Sequence, residues 1–134
     1  MTLSTQPLAD LYRACGTIGN EGTPGAPVVH YSLLADPKRN TVTGTVQITQ
    51  AIQGANSDIT VDVTGTIKEY DLPIVANVVT ISGKYTHACP PPQECIEQRE
   101  FSANMFLDGS WNGQGGFTYG NDQINKVPVK STPC

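Results

Sequence analysis

Two stretches of this chain alternate residue by residue, and that pattern excludes most folds. In Val42-Thr43-Gly44-Thr45-Val46-Gln47-Ile48-Thr49-Gln50, the residues Val42, Gly44, Val46 and Ile48 share one face, and Thr43, Thr45, Gln47 and Thr49 share the other. From Ile59 to Lys68, Ile59, Val61, Val63, Gly65 and Ile67 alternate with Thr60, Asp62, Thr64, Thr66 and Lys68. Side chains point to opposite faces at successive strand positions, so period two puts the apolar set into a core and the polar set into water. A helix would scatter the same residues around its circumference.

Five further segments read as strands: Val28 to Ala35, Ile74 to Thr86, Glu100 to Leu107, Gly116 to Tyr119 and Gln123 to Lys130. The links between them are short. Asp36-Pro37-Lys38-Arg39-Asn40 carries proline where a type I turn accepts it, and Asp108-Gly109 and Gly120-Asn121 are dipeptides that allow positive φ in tight hairpins. Short links imply antiparallel neighbours, because a parallel pair needs a long crossover. Residues 1–27 are less regular. Leu8 to Ala14 fits one or two helical turns, Leu11 to Ile18 fits a strand equally well, and Gly19 to Pro27 is a loop. The predicted fold is a single all-β domain over residues 1–134, an antiparallel meander of about seven or eight strands. It forms a small barrel or a sandwich, with residues 1–27 as an irregular N-terminal segment.

Val42-Thr43-Gly44-Thr45-Val46, Val63-Thr64-Gly65-Thr66-Ile67 and Ile81-Ser82-Gly83-Lys84-Tyr85 share one form: apolar, hydroxyl, glycine, any residue, apolar. Each glycine falls on the apolar face. Glycine weakens a strand and marks a bulge, a bend or a close backbone approach, so three of them point to a curved sheet.

At 134 residues the chain can bury one core without help from metals. Only 15% of residues are charged and the net charge is -4. The few Lys and Arg are scattered rather than gathered into the basic face that neutralises phosphates, so nucleic acid is not an expected partner. No apolar run reaches the length of a membrane span, so no membrane insertion is expected. Met1 to Pro7 lacks the basic and apolar regions of a secretory leader. The default expectation is a cytoplasmic monomer, with export by another route left open.

No catalytic constellation is evident. Nucleophilic catalysis needs Ser or Cys beside His with an orienting carboxylate. The chain has two histidines, of which His30 reads as a structural residue within an apolar strand. Asn112-Gly113-Gln114-Gly115-Gly116 lacks the Lys-Ser/Thr of a phosphate loop and reads as a glycine-rich strand or bulge. Trp111, Phe117 and Tyr119 either close the end of a β core or line a binding patch. No cofactor or metal is expected.

The four cysteines are Cys15, Cys89, Cys95 and Cys134. Cys89 and Cys95 flank Pro90-Pro91-Pro92-Gln93-Glu94, with His87 just before them. Three states stay open: free thiols, a Cys89–Cys95 disulfide, or a metal site. The spacing is wider than zinc sites use, and the missing leader favours free thiols. Cys134 is expected to be mobile. The segment 87–99 is the candidate recognition loop, through Pro90, Pro91, Pro92, Glu94, Glu97 and Arg99. Loops on a rigid scaffold carry recognition without disturbing the core, and proline lowers the entropy lost on docking.

Three stretches carry a family resemblance: Gly25-Ala26-Pro27-Val28 with the strand after it, Val42 to Ala51, and Val127-Pro128-Val129-Lys130. The chain resembles a small bacterial domain-of-unknown-function family with a G-A-P-V start, a G-x-I-T-Q-A strand and a terminal V-P-V-K. The Cys89 to Cys95 loop is foreign to that pattern. The resemblance implies a compact β domain and no ligand. The expected function is non-enzymatic, a module that binds a protein or another molecule through its surface. The rival is a small-molecule carrier with a ligand cavity inside a barrel.

Overall fold

The computed structural model describes residues 11–49, 51–52, 55–56, 59–70, 75–88, 95–120 and 122–134. The strands are β1 (Tyr12–Gly19), β2 (Val28–Asp36), β3 (Thr41–Thr49), β4 (Ala51–Ile52), β5 (Ala55–Asn56), β6 (Ile59–Glu69), β7 (Asn77–Ala88), β8 (Ile96–Leu107), β9 (Gly113–Tyr119) and β10 (Asp122–Thr132). Eight of them form a closed antiparallel barrel in the order β1-β10-β9-β8-β7-β6-β3-β2, while β4 and β5 pair separately. Sequence neighbours are barrel neighbours throughout. Closure comes from β1, which pairs with β2 on one side and with β10 on the other, from Cys15↔Thr132 to Ile18↔Val129. The architecture is therefore the barrel and not the sandwich.

The alternation sets which side faces inward. Val42, Val46, Ile48, Val61, Val63 and Ile67 are buried, whereas Asp62 and Thr64 are exposed. Ile18, Leu33, Ile81, Phe101, Met105 and Leu107 complete the middle of the filled interior. The outward positions of β3 and β6 are polar, with Thr43, Thr45, Thr60, Asp62, Thr64, Thr66 and Lys68 exposed. No helix among the described residues is long and apolar enough to cross a membrane.

The glycine prediction holds. A Cβ on Gly44, Gly65 or Gly83 would run into the carbonyl of Ser32, Thr80 or Asp62 on the adjoining strand. These are the points where strands bend too sharply for a side chain to fit between them.

Two expectations are corrected and one open reading is decided. Of the two readings for Leu8 to Ile18, the strand is the one formed, since Tyr12–Gly19 is the strand that closes the barrel. Its inward positions Ala14, Gly16 and Ile18 are mostly small, so its alternation is faint. The link after Leu107 is not a two-residue turn. The Asp108 carboxylate accepts the N–H groups of Ser110 at 2.8 Å and Asn112 at 3.0 Å, and the positive φ falls on Trp111 at 65°. The thiol expectation fails for three cysteines: Cys95 is disulfide-bonded, and Cys15 and Cys134 form a disulfide with a Cα–Cα distance of 5.4 Å. The bond is possible because barrel closure sets Cys15 beside the end of β10. By contrast Tyr119 and Asp122 pair across a two-residue turn at Gly120, as expected.

Candidate functional site

The segment singled out in the sequence lies at the end of a long hairpin. β7 and β8 pair over their whole length, from Asn77↔Leu107 to Ala88↔Ile96. Their barrel neighbours stop earlier. The β6 register with β7 ends at Thr64↔Ser82, and the β9 register with β8 ends at Phe101↔Tyr119. Gly83 marks the departure, where its backbone packs on the Asp62 carbonyl of β6. Beyond it, residues 84–88 and 96–100 form a two-stranded ribbon whose outer edges have no strand partner among the described residues.

Glu97 and Arg99 are therefore strand residues of β8 and not loop residues. A side chain on a hairpin this long is held by cross-strand pairing rather than by a turn. The Arg99 Nη2 lies 3.1 Å from Glu97 Oε2, and Arg99 Nε also donates to that oxygen. The pair is partly exposed, so it orients the arginine more than it stabilises the fold. Ile96 is 78% exposed at the end of the ribbon. Pro90, Pro91, Pro92, Glu94 and Cys89 lie outside the described residues. Cys95 is disulfide-bonded, so its sulfur is not a free thiolate. Among the described residues no group of three His, Cys, Asp or Glu side chains could hold a metal.

At the base of the ribbon two phenols turn inward. Burial raises the Tyr85 hydroxyl above its usual range, while the nearby Arg99 cation acts against that shift. Burial likewise raises Tyr119, with the Asp122 carboxylate adding to it. Both rings are buried in the core cluster. Phe117 stacks on Tyr119 with centroids 6.0 Å apart, and both are buried. Of the two readings for these aromatics, the structure supports the core.

The opposite end of the barrel is closed by Trp111, whose rings neighbours are Tyr12 and Tyr31, each 6.1 Å away. Beside this plug a recess of about 620 Å³ is lined by Tyr12, Glu69, Tyr70, Asn77 and the Cys15–Cys134 pair. His30 faces outward on β2, 3.2 Å from Thr49 Oγ1, so it is satisfied but not part of the core. Sequence reasoning missed the ribbon because the apolar alternation of β8 begins only at Phe101, after the polar run Glu97 to Glu100.

The chain is thus an up-and-down β-barrel with a filled interior and a projecting ribbon. Residues 9–124 match the family described as domain of unknown function DUF1842, and the chain belongs to that family. The match takes in β1 to β9 and the first residues of β10. No curated protein matches the chain.

Proposed function

We propose that this chain is a non-catalytic binding module of an oxidising compartment, and that its β7–β8 ribbon docks on a protein partner by strand addition. The carrying observation is the ribbon itself. Beyond the barrel registers, the outer edges of residues 84–88 and 96–99 have no strand partner among the described residues, and Ile96 is exposed. An unpaired edge offers a row of backbone donors and acceptors to another chain, and natural proteins usually blunt such edges. The interior favours a module over a carrier, because Phe101, Met105, Leu33 and the Ile and Val side chains take up the space a ligand would need. The Cys15–Cys134 bond supports an oxidising location over the cytoplasm.

The test uses two variants, Ile96→Lys and replacement of residues 90–94 by a Gly-Ser linker. Both are expected to keep the wild-type melting temperature and to lose proteins that the immobilised wild-type chain retains from its source. Amide exchange at residues 96–100 should slow in the isolated complex. Retention of every partner by both variants would remove the ribbon as the docking element.

A further inference from the structure

The outside of a small barrel is convex, so a depression there needs a local cause. One occurs on the outer face of β8, β9 and β10, a groove of about 380 Å³. That volume falls within the range of small-molecule pockets. Its cause is a register shift. Ile124 pairs with Phe117 and Val127 pairs with Gly115, so Asn125 and Lys126 together oppose the single residue Gly116. Lys126 takes a left-handed φ of 55° to make this bulge. Bulges re-aim side chains and recur beside binding sites. A Cβ on Gly116 would run into the Ile124 carbonyl, so β9 and the bulge meet backbone to backbone and the floor is bare backbone.

The walls follow from cross-strand register. Ser102, Thr118 and Gln123 form one row, Asn104 and Asn125 flank Gly116 in the next, and Phe106 faces Gln114 in the third. The Ser102 and Thr118 hydroxyls are hydrogen-bonded at 2.7 Å, and Gln123 donates to Asn125 Oδ1 at 3.5 Å. These bonds hold the upper part in place. Asn104 and Gln114 have no side-chain hydrogen bond among the described residues. Phe106 is 50% exposed, a large apolar ring left in water. Among the described residues no carboxylate lines the groove, and Lys126 is its one cation.

We infer that this groove is a carbohydrate site that takes one ring of a glycan. Each amide carries donors and an acceptor on one planar group, which suits adjacent hydroxyls that both donate and accept. The Phe106 ring offers an apolar platform to the C–H face of a sugar. The chemistry fits other ligands less well. A phosphate ligand calls for clustered Arg or Lys, and a hard divalent cation calls for carboxylates. The groove lies on the barrel wall and does not depend on the ribbon.

The experiment is an amide-resolved NMR titration of the intact, oxidised chain. The probes are glucose, galactose, mannose, N-acetylglucosamine and glucuronic acid, with glycerol and inorganic phosphate as controls. At least one sugar should give saturable shifts confined to Asn104, Gln114, Thr118 and Asn125, with Kd on the order of 1 mM. Phe106→Ala and Asn104→Ala, both outward-facing, should each weaken that binding by about tenfold at an unchanged melting temperature. Ile96→Lys should leave it unchanged. The inference is overturned if no sugar perturbs these amides at about 20 mM. It also fails if glycerol or phosphate gives the same shifts, or if both groove variants bind like the wild type.

Discussion

The indole Nε1–H of Trp111 donates to the Tyr12 hydroxyl at 3.3 Å, joining the β8–β9 loop to the first strand across 99 residues of sequence. The contact closes one end of the barrel. It also accounts for a bulky residue in a left-handed backbone conformation, which is uncommon and strained. The burial of the indole offsets that strain, and the Asp108 turn enforces it.

Trp111→Ala should therefore cost about 3–5 kcal/mol, the usual loss for a buried aromatic. Trp111→Phe keeps most of the packing but removes the donor, and should cost about 1 kcal/mol for the hydrogen bond. Guanidinium denaturation of the three proteins checks both. Equal midpoints for the wild type and the alanine variant would mean the plug contributes nothing.

The Cys15–Cys134 bond closes a loop with a sequence separation of 119. In the chain-entropy account a loop that long stabilises by about 5 kcal/mol. Reduction, or the double variant Cys15→Ser with Cys134→Ser, should lower the melting temperature by well over ten degrees. In unreduced, denatured protein these two cysteines should not react with Ellman's reagent.

Charge placement tests the alternation. Val63→Asp sets an unpaired carboxylate inside the barrel, at a cost of several kcal/mol against a total stability of about 5–15 kcal/mol. Thr64→Asp adds the same charge one residue along, where Thr64 is exposed. The first variant should lose its cooperative thermal transition by circular dichroism, and the second should melt like the wild type.

The Tyr31 hydroxyl is buried without a hydrogen-bond partner among the described residues, and burial pushes its pKa up to about 12. In the unfolded chain a tyrosine ionises near 10. Between those values the unfolded chain releases a proton that the folded chain keeps. Stability is therefore fully present below about pH 10 and falls as pH rises toward 12. Tyr31→Phe should shift the alkaline unfolding midpoint upward. It should also raise stability at neutral pH by about 1 kcal/mol, since it removes an orphaned hydroxyl. Phenolate absorbance and circular dichroism, followed together through the alkaline range, would check both effects.

The strands with the strictest alternation were the easiest to read: residues 42–50 and 59–68 became β3 and β6 within one residue at each end. Gly44, Gly65 and Gly83 were legible because a glycine on an apolar face marks a bend or a close backbone approach, and each packs on a carbonyl of the adjoining strand. β1 was ambiguous because Gly16 and Ala14 bury little area, and its identity depends on β10, more than a hundred residues away. The disulfide was hidden for the same reason. Cysteine pairing follows closure of the barrel, and no local spacing encodes closure. The groove was hidden differently. Asn104, Gln114 and Gln123 look like ordinary solvent-facing positions, and only the shift between Ile124 and Val127 turns them into walls.

Because Cys15 and Cys134 are bonded, the barrel is a covalent ring with its two points of attachment at one place. Tension applied between Cys15 and Cys134 passes directly from sulfur to sulfur. The strands between them carry none of the load and need not shear apart for the connection to hold. Mechanical resistance would then be set by the redox state of one bond, and reduction would switch the barrel from bystander to load carrier.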